Sequence, residues 1–149
     1  MRVLVQRVAT AHVTVAGVTT GAVGHGLLLL VGITHSDTES IEDKFAEKIA
    51  KLRVFPDDDG KMNKSVVDVN GEILAVSQFT LYADTSGGNR PSYTAAARPG
   101  QASPAFDRFV AKLAQRIGKP VPTGVFGADM KVSLINDGPV TIWLDSDHL

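Results

Sequence analysis

A chain of 149 residues with 44% hydrophobic and 21% charged content suits one globular domain built on one core. Its formal net charge of -1 offers no bulk attraction to nucleic acid, so any RNA contact needs a local basic cluster. The absence of cysteine excludes disulfides, thiolate catalysis and cysteine-ligated metals.

Residues 2–9 alternate polar and apolar side chains and predict a strand, with Val3, Val5 and Arg7 on one face and Leu4, Gln6 and Val8 on the other. This opening alternates too early and carries too much charge for a signal peptide. A second strand is expected over 12–15, closed by a turn at Ala16-Gly17. Gly21, Gly24 and Gly26 then run in the order GxxGxG ahead of a buried strand, Leu27-Leu28-Leu29-Leu30-Val31. A dinucleotide fingerprint needs GxGxxG opening a helix, so these read as turn glycines. The aliphatic run falls far short of the roughly 20 residues that cross a bilayer. A cytoplasmic protein with no membrane partner is expected.

Ser36 and Glu39 fit a capping box, and Ile41, Phe45, Ile49 and Leu52 recur at helical spacing. They predict an amphipathic helix over about 38–52, with Glu42, Asp43, Lys44, Glu47, Lys48 and Lys51 on its solvated face. Residues 55–60 resemble a calcium loop only superficially, since Phe55 and Val66 would occupy the first and last ligand positions. They read as an acidic turn. Asn70-Gly71 predicts a hairpin between strands at 65–69 and 72–82. Residues 83–100 form a long polar loop holding Arg90, Tyr93 and Arg98. Ser103-Pro104 then opens a second helix whose stripe is Phe106, Phe109, Val110, Leu113 and Ile117, ended by Gly118. Strands follow at 121–126, 130–135 and 140–144, the last two joined by Asn136-Asp137-Gly138-Pro139. The whole is an α+β fold, a single domain over 1–149: a largely antiparallel sheet or barrel with two main helices.

Two stretches stand out. In Leu74-Ala75-Val76-Ser77-Gln78-Phe79-Thr80-Leu81-Tyr82, polar residues sit where a buried strand would continue with Val or Ile. Each such group needs a hydrogen-bond partner or costs about 1–3 kcal/mol. Ser77 and Thr80 bridging strands with Gln78 facing solvent is one reading; a functional site is the other. Gly138-Pro139, likewise, is either a tight turn or part of a site. Walker, HExxH and GxSxG patterns are absent, and His12, His25, His35 and His148 lack metal-ligand spacing.

Ser77-Gln78-Phe79-Thr80-Leu81 together with Asn136-Asp137-Gly138-Pro139-Val140-Thr141 resembles the motif pair of the D-aminoacyl-tRNA deacylases. The opening residues 1–8, Lys61-Met62-Asn63-Lys64-Ser65, Ala95-Ala96-Ala97-Arg98-Pro99 and Phe126-Gly127-Ala128-Asp129-Met130 are similar to further family segments. The likeness covers essentially the whole chain, least of all after Leu144. It implies a homodimeric hydrolase that takes D-amino acids, and glycine, from the 3′-terminal adenosine of tRNA. No cofactor and no metal are implied. Gly138-Pro139, with a cis bond in the family, would enter the partner's site beside Ser77, Gln78, Phe79 and Thr80. Main-chain atoms there would grip the amino group and exclude an L side chain by clash.

For the chemistry, the resemblance leaves two schemes. Backbone N–H groups near Phe79 and Thr80 could form an oxyanion hole while the ribose 2′-hydroxyl assists water. Alternatively Thr80 acts as a covalent nucleophile, for which no activating base is evident. Gln78 is assigned to orienting the adenosine, and Ser77 to a structural hydrogen bond beside the pocket. Arg7, Lys61, Lys64, Arg90 and Arg98 are candidates for the basic cluster. Two rival classes stay open: a hydrolase of small D-amino acid esters that ignores tRNA, and a dimeric nucleotide- or RNA-binding module.

Overall fold

The chain, described by a computed structural model over residues 1–149, runs β1 (Arg2–Val15), β2 (Val18–Val23), β3 (Gly26–Gly32), α1 (Glu39–Lys51), β4 (Phe55–Pro56), β5 (Met62–Lys64), β6 (Glu72–Ser77), α2 (Pro99–Ile117) and β7 (Met130–Asp145). Short 3-10 turns follow β6 (Phe79–Tyr82) and β7 (Ser146–His148). Strand β1 organises the sheet. One of its edges pairs antiparallel with β3 along its first half and with β2 along its second; the other edge pairs with β7. Strand β6 lies outside β3, parallel to it.

The expected break between residues 9 and 12 does not occur, because β1 passes from one core to another without leaving the sheet. Val3 and Val5 belong to a cluster of 23 buried residues beneath the helices, whereas Val8, Ala11 and Val13 belong to a separate cluster of 7. Strand β7 makes the same exchange. Val140, Ile142 and Leu144 pack into the larger core, and Met130, Val132 and Leu134 into the smaller. A strand alternates faces with period two, so residues of one parity reach opposite faces only through an irregularity. The β1–β7 ladder has it: Gln6 lies opposite Thr141 and Val8 opposite Asn136, leaving residues 137–140 to face Arg7 alone.

This corrects the expected ending. Residues 130–135 and 140–144 are not two strands joined by a turn but one strand, β7, bulged at 136–139. No strand forms at 121–126, where only Thr123 bridges to Ala75. Pro122 removes one of that segment's ladder donors, and Pro120 removes another just before it. The Asn70-Gly71 hairpin also fails. Asn70 does take a positive φ of 52°, yet residues 65–70 form helical turns. The Asp68 carboxylate accepts from both the N–H and the hydroxyl of Ser65, at 2.8 and 2.9 Å, a local arrangement that outcompetes a ladder. Strand β6 pairs with β3 instead, and the contact is close. A Cβ at Gly26 would lie 1.9 Å from the Glu72 carbonyl oxygen, so only glycine fits there.

Helix α1 begins at Glu39 with Thr38 at its N-cap and no side-chain cap, so the Ser36–Glu39 box is not made. Glu42, expected in solvent, is 1% exposed, and Arg108 of α2 donates to it at 2.7 and 3.2 Å. Two helices packed across charge keep this carboxylate paired. Helix α2 starts at Pro99, four residues before the expected Ser103-Pro104. Pro104, the sixth residue of the helix, brings no N–H to the Gly100 carbonyl.

Candidate active site

Leu74, Ala75 and Val76 are buried strand, as their apolar character requires. The expected continuation of that strand to residue 82 does not form. The ladder stops when the Gln78 N–H donates to the Val31 carbonyl at 2.8 Å, and the chain turns into the 3-10 segment. Ser77, Gln78 and Thr80 therefore sit half-buried at the sheet's end, with Phe79 exposed. Their polarity was a signal of exit from the sheet. The first N–H groups of a helical turn have no partner within it, and neither the Phe79 nor the Thr80 N–H donates to any carbonyl or side chain of the protein. The Gln78 side-chain amide donates to the Thr80 hydroxyl.

This segment borders a cavity of about 550 Å³, within the range of small-molecule sites. Ser77, Gln78 and Phe79 form part of its wall; Thr80 stands just outside. The opposite wall comes from Ala96, Ala97 and Arg98 and from residues 126–130. The long loop is thus ordered and built into the site. Its far part is closed by paired bonds between Asp84 and Ser92. Its near part is pinned to the end of β3, where Thr34 Oγ1 donates to the Ala95 carbonyl at 2.6 Å and the Ala97 N–H to Ile33 at 2.8 Å. Phe79 and Tyr93 meet edge to face at 5.0 Å beside the cavity. No histidine lines it, so no imidazole base is at hand. No group of three or more His, Asp or Glu is arranged to hold a metal ion.

The second motif is the bulge of β7. The Gly138-Pro139 peptide is cis, and Gly138 takes a φ of 118° open mainly to glycine. Both residues are exposed. Two side chains brace them from below. Asn136 Nδ2 donates to the Arg7 and Val140 carbonyls at 3.0 and 3.1 Å, standing in for ladder bonds the bulge breaks. Arg7, with its side chain only 11% exposed, donates to the Asp137 carbonyl at 3.2 Å and the Val54 carbonyl at 2.7 Å. A Cβ at Gly138 would approach Arg7 Nη2 to 2.7 Å. Arg7 is therefore a brace for the bulge, not the free surface cation that the basic-cluster expectation required. Its position opposite the irregularity could not be read from spacing.

The two motifs do not meet within one chain. Strand β7 lines the cavity at Met130 and Val132, and Gly138 lies six positions beyond Val132, at most roughly 20 Å along the strand. Gly138 and Pro139 form no part of that cavity's wall.

A protein-family profile described as D-Tyr-tRNA(Tyr) deacylase matches residues 4–145. The chain belongs to this family. It is 62% identical to a D-aminoacyl-tRNA deacylase of Chromobacterium violaceum over 146 residues, spanning 98% of this chain and 97% of that one. A relative of the same description from Chloroherpeton thalassium is 60% identical, with 98% and 96% covered. Among solved structures, a c-Myc DNA unwinding element binding protein superposes with a TM-score of 0.91 at 43% identity, covering 98% of this chain and 99% of that one. A probable eukaryotic D-amino acid tRNA deacylase shares the fold at a TM-score of 0.81 and 16% identity, with 96% and 97% covered. The two stretches singled out in the sequence thus lie, in the fold, at a strand exit (77–80) and at a bulge (136–139).

Proposed function

We propose that the protein hydrolyses the ester joining a D-amino acid, or glycine, to the 3′-terminal adenosine of tRNA in the cytoplasm. The observation that carries this reading is the pair of unpartnered N–H groups at Phe79 and Thr80, beside a cavity that offers no imidazole base. An aminoacyl ester is already activated, so its hydrolysis needs stabilisation of the oxyanion more than a strong nucleophile. Water adds to the ester carbonyl carbon, and the two N–H groups hold the resulting negative oxygen. The bond from carbon to the ribose 3′-oxygen then breaks. The water proton passes to that leaving oxygen through the neighbouring 2′-hydroxyl, releasing free amino acid and tRNA. The Thr80 hydroxyl has the Gln78 amide N–H as its partner, a donor and not a base, so in this scheme it is not the nucleophile. Gln78 orients the adenosine, and Ser77 supports the wall beside it.

Gly138 and Pro139 act on the site of a second copy of the chain. The separation along β7 supports this, and so does the sheet face turned away from the helices. There Leu30, Leu4 and Trp143 are successive cross-strand partners, and Trp143 is 48% exposed. An apolar row of this kind favours burial against another surface. Inserted beside Phe79 and Thr80, the backbone of the bulge grips the substrate amino group and fills the space an L side chain requires. A D side chain points elsewhere, and glycine has none to reject. Discrimination by a clash needs a stiff obstacle, which the Arg7 and Asn136 braces supply.

The test is incubation of D-Tyr-tRNA, L-Tyr-tRNA and Gly-tRNA with the purified protein. Release of D-Tyr and Gly with L-Tyr-tRNA left intact is expected. Hydrolysis of both Tyr enantiomers alike, or of neither, would overturn the reading, and a monomer in solution that retains chiral discrimination would overturn the shared site.

A further inference from the structure

The wall of the cavity carries two charged side chains, Arg98 and Asp129. Asp129 is already compensated, since Lys131 Nζ contacts its two oxygens at 3.0 and 3.2 Å. Arg98 is not. Its side chain is exposed and forms no ion pair or hydrogen bond within the chain, in contrast to Arg2, Arg7, Arg108 and Arg116, each of which holds a carboxylate. The uncompensated charge of the cavity is therefore a single positive one, at its rim. Arg98 is also held in position by its backbone: its carbonyl accepts the N–H groups of Gln101 and Ala102 as the N-cap of α2. The positive end of that 19-residue helix lies beside it and reinforces the local potential.

We infer that Arg98 holds the phosphodiester that links the terminal nucleoside of the substrate to its neighbour. The assignment rests on the deacylase reading above. An adenosine ester in the cavity has one place where the polynucleotide must leave, and the group at that exit is an anion. A guanidinium presents a planar fork of donors matched to two phosphate oxygens. The same contact places a cation where the polynucleotide leaves the cavity of a chain whose net charge is -1. Arg98 is a positioning residue in this scheme: it distinguishes an ester on a polynucleotide from the same ester on a nucleoside.

The experiment compares kcat/KM for D-tyrosyl-tRNA with that for the D-tyrosyl ester of adenosine, which has no phosphate, in wild type and Arg98→Gln. The tRNA-to-nucleoside ratio is expected to fall about tenfold or more, the scale of one hydrogen bond to a charged group. Arg98→Lys, which keeps the charge without the fork, is expected to recover part of the loss. An unchanged ratio, whether both constants drop or neither does, overturns the assignment, as does a loss that tracks a lowered Tm. A wild type that hydrolyses only the nucleoside ester overturns this assignment while leaving the D-amino acid esterase chemistry intact. One that hydrolyses neither ester overturns the deacylase reading itself.

Discussion

The strand exit at 77–80 and the bulge at 136–139 are both places where a strand is interrupted, and they resolve the interruption in opposite ways. At the exit the chain abandons the ladder, and two N–H groups are left without acceptors. At the bulge the strand continues on the same partner, and side chains replace the broken ladder bonds. In the proposed site, one region presents donors and the other presents shape. A donor site needs unpaired groups, which a turn start supplies without further help. A shape filter needs rigidity, which an exposed bulge has only when something beneath it is fixed. On the proposed reading, that requirement accounts for a mostly buried arginine under two exposed residues.

The contrast can be broken most severely at Gly138. Gly138→Ala puts a Cβ 2.7 Å from Arg7 Nη2 and 3.0 Å from Val140 Cγ2 at a φ of 118°. The bulge or the Arg7 guanidinium that braces it must shift, and kcat/KM on D-Tyr-tRNA is expected to fall roughly 10²-fold, the usual scale for a displacement of about 1 Å in a site. Circular dichroism should show the fold retained, since the residue is exposed and outside both cores. Global unfolding of this variant would mean that the bulge is a structural keystone instead of a filter.

Arg7→Met comes next. It removes the donors to Asp137 and Val54, leaving at least one part-buried carbonyl unpaired, with an expected loss of about 1–3 kcal/mol by denaturant unfolding. The more informative readout is the ratio of D- to L-Tyr-tRNA hydrolysis, expected to decline because the obstacle loosens. A lower stability with an unchanged ratio would separate the brace from the filter. Thr80→Ala is the mildest change. It keeps the backbone N–H and removes a hydroxyl that only receives a bond from Gln78, so kcat should remain within about threefold of wild type, less than 1 kcal/mol. Abolished turnover in a folded Thr80→Ala protein would restore the hydroxyl as nucleophile.

Much of the scaffold was legible because periodicity reports which residues are buried. The stripes Phe45–Ile49 and Phe106–Phe109–Leu113 are buried helix faces, and 27–31 is a buried strand. Glu42 was misread because a carboxylate looks solvated until Arg108 arrives from another helix. The motifs at 77–80 and 136–139 were visible as local disagreements: polar residues ending an apolar run, and Gly-Pro between two apolar alternations. What they become was not visible. Asn70-Gly71 carries the local signal of a hairpin, yet β6 is parallel to β3, a pairing made with residues more than 40 positions earlier.

The sequence by itself determined the two helices, strands at β1, β3, β6 and β7 and the two stretches where regular structure is interrupted, since each follows from neighbouring residues competing for local backbone and burial preferences. Tertiary structure alone decided that β6 pairs in parallel with β3, that Arg7 lies beneath Gly138, and that β1 and β7 exchange cores together at the bulge. Those outcomes depend on which strand pairs with which and in what register. Register is set by the sum of side-chain burial over both partners, a quantity no single segment contains.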